Sequence, residues 1–167
     1  MYRAPVTTGS LALAAAGGTI EAYDRGTGRT AWVYPQTPVE GGVEPHYCTR
    51  CVVEGQRVVA VFIRVNGGWT HYGAAEVVCL DYSTGRVLWQ QALDVKMNLG
   101  PNVGACTATV LVDSGQVLVS HANVVAAYAL ENGAMQWNRR FDAGLPNGRA
   151  LGVALAVPGC AEQGSVS

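Results

Sequence analysis

The sequence predicts an all-β protein, a β-propeller built of four-stranded antiparallel blades, with about three blades in the chain. Three observations lead there. An eleven-residue stretch recurs three times without a gap, as Ala22 to Trp32, Cys79 to Trp89 and Ala127 to Trp137, with a small residue first, Gly seventh and Trp last. The spacing between these tryptophans, less one insertion, corresponds to units of roughly 40 to 50 residues, the length of a four-stranded blade. Between the motifs the apolar residues alternate or run continuously, with none of the 3.6-residue stripes a packed helix would need.

The elements follow in order. Ala4 to Thr7 is a short extended start. Leu11 to Ala15 reads as a strand, Gly17-Gly18 as a two-residue hairpin turn and Thr19 to Asp24 as the next strand. Arg25-Gly26-Thr27-Gly28 has turn chemistry, because glycine alone takes positive φ without a Cβ clash. Thr30 to Tyr34 is a strand that Pro35 and Pro38 end. The stretch from Gln36 to Glu44 is a Pro- and Gly-containing loop. Tyr47 to Val53 and Arg57 to Val65 are strands around the turn at Glu54 to Gln56. Asn66 to Gly73 is an insertion that the other units lack, and Glu76 to Asp81 and Val87 to Leu93 follow it.

Unit three is predicted as four strands, Ala105 to Val112, Gln116 to His121, Val124 to Ala129 and Ala134 to Phe141, joined by short turns in a meander. Ala150 to Gly159 aligns without a gap on Ala105 to Ser114, so it reads as one extra strand, over 150–157, opening a fourth unit. Cys160 to Ser167 is polar and reads as a frayed end. The whole chain, 1–167, is then one domain, with blades over about 3–38, 45–95 and 104–142.

Composition narrows the function. Charged residues make up 14% of the 167 residues, and the formal net charge is −1. That balance provides no attraction for nucleic acid or an anionic membrane. No apolar run reaches the length of a membrane-spanning helix. Leu11 to Ala16 resembles the apolar part of a signal peptide, but only Arg3 precedes it as a positive charge, and it coincides with a repeated strand. The location expected is therefore cytoplasmic, unless the chain is a piece of an exported protein.

The motif Ala22-x-Asp24-x-x-Thr27-Gly28-x-x-x-Trp32 resembles the tryptophan-docking motif of PQQ-like (quinoprotein-type) β-propellers. Asp81, Thr84, Gly85 and Trp89 repeat it with Cys79 in front, and Arg29 and Arg86 supply the basic residue after the glycine. Ala127, Gly133 and Trp137 repeat it again, with Ala129 and Asn132 in place of the Asp and Thr. The resemblance implies that each Trp lies between the small residue of its own motif and a peptide near the Gly of the neighbouring one. A flat indole gains contact on both faces only where the residue opposite is small. The Asp and Thr side chains suit capping of turn N–H groups. These motif residues are thus expected to fasten blade to blade rather than to catalyse.

Members of the family include alcohol dehydrogenases that use pyrroloquinoline quinone (PQQ) with calcium, and non-enzymatic members such as an outer-membrane assembly lipoprotein. The dehydrogenases hold the quinone in eight blades, often under a disulfide of adjacent cysteines. Here no two cysteines are adjacent and no Glu, Asn and Asp set maps onto a calcium site. The expected function is a binding or assembly scaffold without a cofactor; the alternative is a ligand- or quinone-binding site formed only in an assembled ring.

Two local candidates remain. His46, Cys48 and Cys51, with His71 and Cys106 elsewhere, could be a disulfide pair, free thiols or part of a zinc site. Cys79 stands where the other motifs have Ala and reads as a small buried residue. Trp69, His71 and Tyr72 on the insertion form a candidate binding loop. Finally, an open fan of three blades exposes strand edges. A two-fold dimer closing a six-bladed ring, with the extra strand completing the partner's first blade, is the expected arrangement; the alternatives are a chain truncated from a longer propeller, or a subunit set against another propeller-bearing protein.

Overall fold

A computed structural model describes residues 9–35, 46–65, 72–93, 108–121, 124–140 and 155–162. Every element in them is a strand: β1 (Leu11–Ala16), β2 (Thr19–Asp24), β3 (Thr30–Tyr34), β4 (His46–Glu54), β5 (Arg57–Val65), β6 (Tyr72–Asp81), β7 (Val87–Leu93), β8 (Thr109–Asp113), β9 (Gln116–His121), β10 (Val124–Ala129), β11 (Met135–Arg140), β12 (Leu155–Val157) and β13 (Cys160–Glu162). They form antiparallel sheets in chain order: β1-β2-β3, β4-β5-β6-β7, β8-β9-β10-β11 and the pair β12-β13. β4 packs beside both β1 and β8, and β12 and β13 pack on β8, so the opening strands of successive sheets adjoin.

The repetition is visible in the register. In all three sheets the pairing slips at the same motif position: between Ala22 and Tyr23, between Cys79 and Leu80, and between Ala127 and Tyr128. The extra residue at each slip, Ala31, Leu88 or Gln136, bulges the strand that follows the motif turn, just before its Trp. The middle sheet is buried on both faces. Val58, Ala60, Phe62, Val78 and Leu80 pack toward the first sheet, while Val59, Val61, Ile63, Val77 and Cys79 pack toward the third. Two-sided burial explains why β5 and β6 read as continuous apolar runs rather than an alternation.

Two expectations need correction, and two others fall on residues outside those described. The extra strand over 150–157 is a hairpin. β12 turns through Pro158 and Gly159, whose φ is 85°, into β13, which the sequence reading assigned to a frayed end. The turn after β8 has Gly115 at φ 77° in the matching place, so the two segments correspond one residue out of the gapless register. Next, the described first sheet has three strands, because the proposed opening strand at Ala4 to Thr7 lies outside the described residues. Tyr72 is not on a loop; it opens β6 and pairs with Val65 across a bulge. Last, β8 begins at Thr109, and 105–107 lie outside the described residues.

Candidate functional site

The three motif turns share one backbone. In the first, Asp24 N–H donates to Arg29 O and Gly28 N–H to Asp24 O. Asp81 and Gly85 repeat both bonds with Arg86 and Asp81, and Ala129 and Gly133 repeat them with Ala134 and Ala129. Each seventh-position glycine has positive φ, 70° at Gly28, 69° at Gly85 and 72° at Gly133, a region that any residue with a Cβ resists.

Side chains tie the first two turns together. The Asp24 carboxylate accepts from Gly26 N (3.1 Å), Thr27 N (2.7 Å) and Thr27 Oγ1 (2.8 Å). Asp81 accepts from Ser83 N (3.1 Å), Ser83 Oγ (2.6 Å), Thr84 N (2.9 Å) and Thr84 Oγ1 (2.7 Å). Bonds to the ionised form hold both carboxyls below their usual range, led by the Thr27 hydroxyl for Asp24 and the Ser83 hydroxyl for Asp81. Thr27 Oγ1 in turn accepts from Arg29 N–H at 3.3 Å, and Thr84 Oγ1 from Arg86 N–H at 3.4 Å. In the third turn Asn132 Oδ1 accepts from Ala134 N–H at 2.9 Å. The Thr-to-Asn change therefore keeps that bond although the Asp is gone.

The tryptophans join neighbouring sheets. Each motif's small first residue pairs across the strand with its own Trp: Ala22 with Trp32, Cys79 with Trp89, Ala127 with Trp137. The Trp32 ring lies over Gly85 so closely that a Cβ there would sit 2.6 Å from Cε3. Its Nε1–H donates to Tyr82 O at 2.9 Å. Trp89 makes the same arrangement one sheet further on: a Cβ at Gly133 would sit 2.6 Å from its Cδ2, and Nε1–H donates to Leu130 O at 2.9 Å. Tyr82 and Leu130 hold the same motif position. Tyr128 stacks beside Trp89, ring centroids 6.4 Å apart.

The third copy differs. Trp137 is 39% exposed, against 7% for Trp32 and Trp89. At the other end, a Cβ at Gly28 would meet no atom within 4 Å.

Cys48 and Cys51 come together for a reason that spacing alone hides. Residues three apart on a regular strand point to opposite faces. The bulge between Cys48 and Arg50 puts Cys48 opposite Phe62 and Cys51 opposite Ala60, which share a face. Both thiols are free and half-buried in the core between sheets one and two. Burial raises Cys48 to about 12, with the neighbouring Cys51 adding to the rise, and burial raises Cys51 to about 11. A thiolate is the reactive form, so at pH 8 alkylation of both by iodoacetamide should be at least about tenfold slower than that of a free thiol. Mass spectrometry of timed samples measures this. Cys79 is buried under Trp89 as a small residue, and burial raises its thiol too.

Of the candidate metal-ligating residues, only Cys48 and Cys51 have described side chains. The His46 side chain, His71 and Cys106 lie outside the described residues, as do Trp69 and the Tyr72 side chain. Among the described residues no three of His, Cys, Asp and Glu meet as a cation would require.

A family model described as outer membrane protein assembly factor BamB matches residues 2–157. The chain belongs to this family of PQQ-like propellers. Similar solved structures include BamB from Moraxella catarrhalis, 24% identical over 79% of this chain and 34% of that one, with a TM-score of 0.48. A europium-containing methanol dehydrogenase is 19% identical over 80% and 23%, at 0.53. The quinohemoprotein alcohol dehydrogenase ADHIIG from Pseudomonas putida HK5 is 14% identical over 92% and 29%, at 0.58. The chain thus spans about a third or less of each. These dehydrogenase likenesses concern the fold. No curated protein sequence matches the chain.

Sequence reasoning passed over three residues. Tyr82 reaches the first sheet: its hydroxyl donates to Leu11 O (2.8 Å) and accepts from Leu11 N–H (2.7 Å). It replaces the Arg25 and Leu130 of the sister motifs, and a residue that breaks a repeat is the available signal for such a contact. His121 and the Tyr128 hydroxyl are buried, and neither His121 nitrogen nor the Tyr128 oxygen has a hydrogen-bond partner among the described residues. His121 occupies the β9 position that Phe62 fills in β5. Its sequence context, an apolar run in a propeller strand, marks it as the odd polar member.

Proposed function

We propose that this chain is a non-enzymatic scaffold, a PQQ-like propeller segment that binds or assembles proteins. The carrying observation is the use made of the repeated residues. Asp24 and Asp81 each commit Oδ1 to their own turn, and Trp32 and Trp89 lie against glycines of the next sheet. The repeated side chains thus serve the turns and the sheet junctions, which is structural work rather than chemistry on a substrate. The match to a family described as an assembly factor supports a protein partner. In this reading Trp32, Trp89 and Trp137 with Gly28, Gly85 and Gly133 are fasteners, and the protein partner is another copy or a different propeller-bearing protein.

Absorbance and native mass spectra of the purified protein test the scaffold reading. The expected spectra show polypeptide alone, including after incubation with PQQ and calcium. A quinone chromophore retained at one per chain would contradict it and favour a ligand-binding ring.

A further inference from the structure

The two ends of the sheet array are unfilled halves of the junction that joins its middle. At one end, Trp137 pairs with Ala127 as Trp32 does with Ala22, yet 39% of it is exposed. At the other end stands a matching receptor at which, among the described residues, a Cβ on Gly28 would meet no atom within 4 Å. Gly28 matches Gly85 and Gly133 in φ to within a few degrees and in both turn hydrogen bonds. A third bond agrees too: Arg25 N–H donates to Ser10 O, as Tyr82 N–H does to Gln56 O and Leu130 N–H to Gly115 O. The carbonyl that takes the indole N–H at the filled junctions is here that of Arg25.

The surface around this receptor also corresponds. In β5 and β9 the residues facing the preceding sheet, Val58, Ala60 and Phe62 or Val117, Val119 and His121, are buried. Their counterparts in β1 are Ala12, Ala14 and Ala16, and all three are exposed. Tyr23 holds the position from which Tyr128 stacks on Trp89.

We propose that Trp137 of one copy seats on Gly28 of a second copy, donating its Nε1–H to Arg25 O with Tyr23 beside the ring. This rests on the reading of the chain as a scaffold completed by another chain. A second copy is the occupant because this chain itself carries both halves, in the backbone geometry of its own filled junctions. The two-fold pair would then hold two such contacts and close one ring. β13 spans only Cys160–Glu162, and the partner's β1 would take its place beside β12.

Two variants and their mixture decide. Gly28→Asn keeps a residue that tolerates positive φ but puts a Cβ into the receptor. Trp137→Ala removes the ring from a half-exposed position, so its circular dichroism should match the parent. Sedimentation over a concentration series should give twice the chain mass for the parent. Each variant alone should associate at least about tenfold more weakly, a loss of about 1.4 kcal/mol. A 1:1 mixture should associate better than either, because the Trp137 of one variant meets the intact Gly28 of the other. A parent that stays monomeric, or dimers unchanged in both variants, would overturn the contact; the second result would place a dimer on a different surface. Capture of a different propeller protein through Trp137, with no self-association, would overturn the choice of a second copy. None of these outcomes touches the quinone test, so the scaffold reading stands or falls separately.

Discussion

Replacing Trp89 by alanine is expected to destabilise the protein by about 3–5 kcal/mol, the range for truncating a buried tryptophan. The ring is 7% exposed and lies between Cys79 of its own sheet and Gly133 of the next. Three losses add. The indole gives up contact on both faces, Leu130 O loses its donor, and Tyr128 loses its stacking partner. Small domains have about 5–15 kcal/mol in total, so this one change removes a large share. Trp137→Ala serves as the internal control. That ring is chemically identical but 39% exposed, and at protein concentrations low enough for the chain to be monomeric its truncation should have under about half the effect. Urea titrations followed by circular dichroism measure both. Equal losses would mean that burial at the junction is not what matters.

Stability should also fall steeply in mild acid, with His121 as the main cause. Burial among apolar side chains lowers its imidazole from 6.5 to about 4. The unfolded chain therefore takes up a proton near pH 6.5, while the folded chain resists until about pH 4. Between those values the unfolded state binds more protons, so folding free energy declines as pH falls, by about 1.4 kcal/mol per pH unit and roughly 3 kcal/mol in all. Above pH 7 the contribution is complete and the curve flat. Asp24 and Asp81, held low by their turn hydrogen bonds, add a loss of the same sign at still lower pH. His121→Phe installs the residue type that unit two has at the matching place, Phe62. It removes two buried nitrogens that lack partners among the described residues, so stability at pH 7 should stay level or rise. The slope between pH 6.5 and 4 should largely vanish. If parent and variant decline together, the histidine is hydrated or paired in solution.

Much of this molecule was legible as repetition. Three motifs with small, Gly and Trp positions in register, and turn glycines at regular places, were enough to lay out eleven strands, nine of them within one residue of their observed bounds. Such signals are local: a glycine at positive φ marks its turn wherever the rest of the chain goes. What escaped reading depends on register or on distant partners. The bulge at Cys48 decides which face the thiols share, and no spacing rule announces it. The hairpin at β12 and β13 was hidden because the segment is short and a gapless alignment set it one residue off. Tyr82 reaches Leu11 across sheets, and its role follows from where the first sheet lies. His121 looked like a strand terminus, since polarity at a strand's end is ordinary; its burial comes from the neighbouring sheet.

That Trp rings on glycines hold neighbouring sheets together is tested most directly by coupling Trp89 to Gly133. Gly133→Ala would be measured by urea denaturation in the parent and again in the Trp89→Ala background. In the parent, alanine meets both the positive φ of 72° and a ring whose Cδ2 would sit 2.6 Å from the new Cβ. Without the ring, only the backbone strain is left. The expected result is a Gly133→Ala penalty smaller by about 1 kcal/mol or more once Trp89 is gone, a coupling typical of residues in contact. Equal penalties in the two backgrounds would contradict the junction.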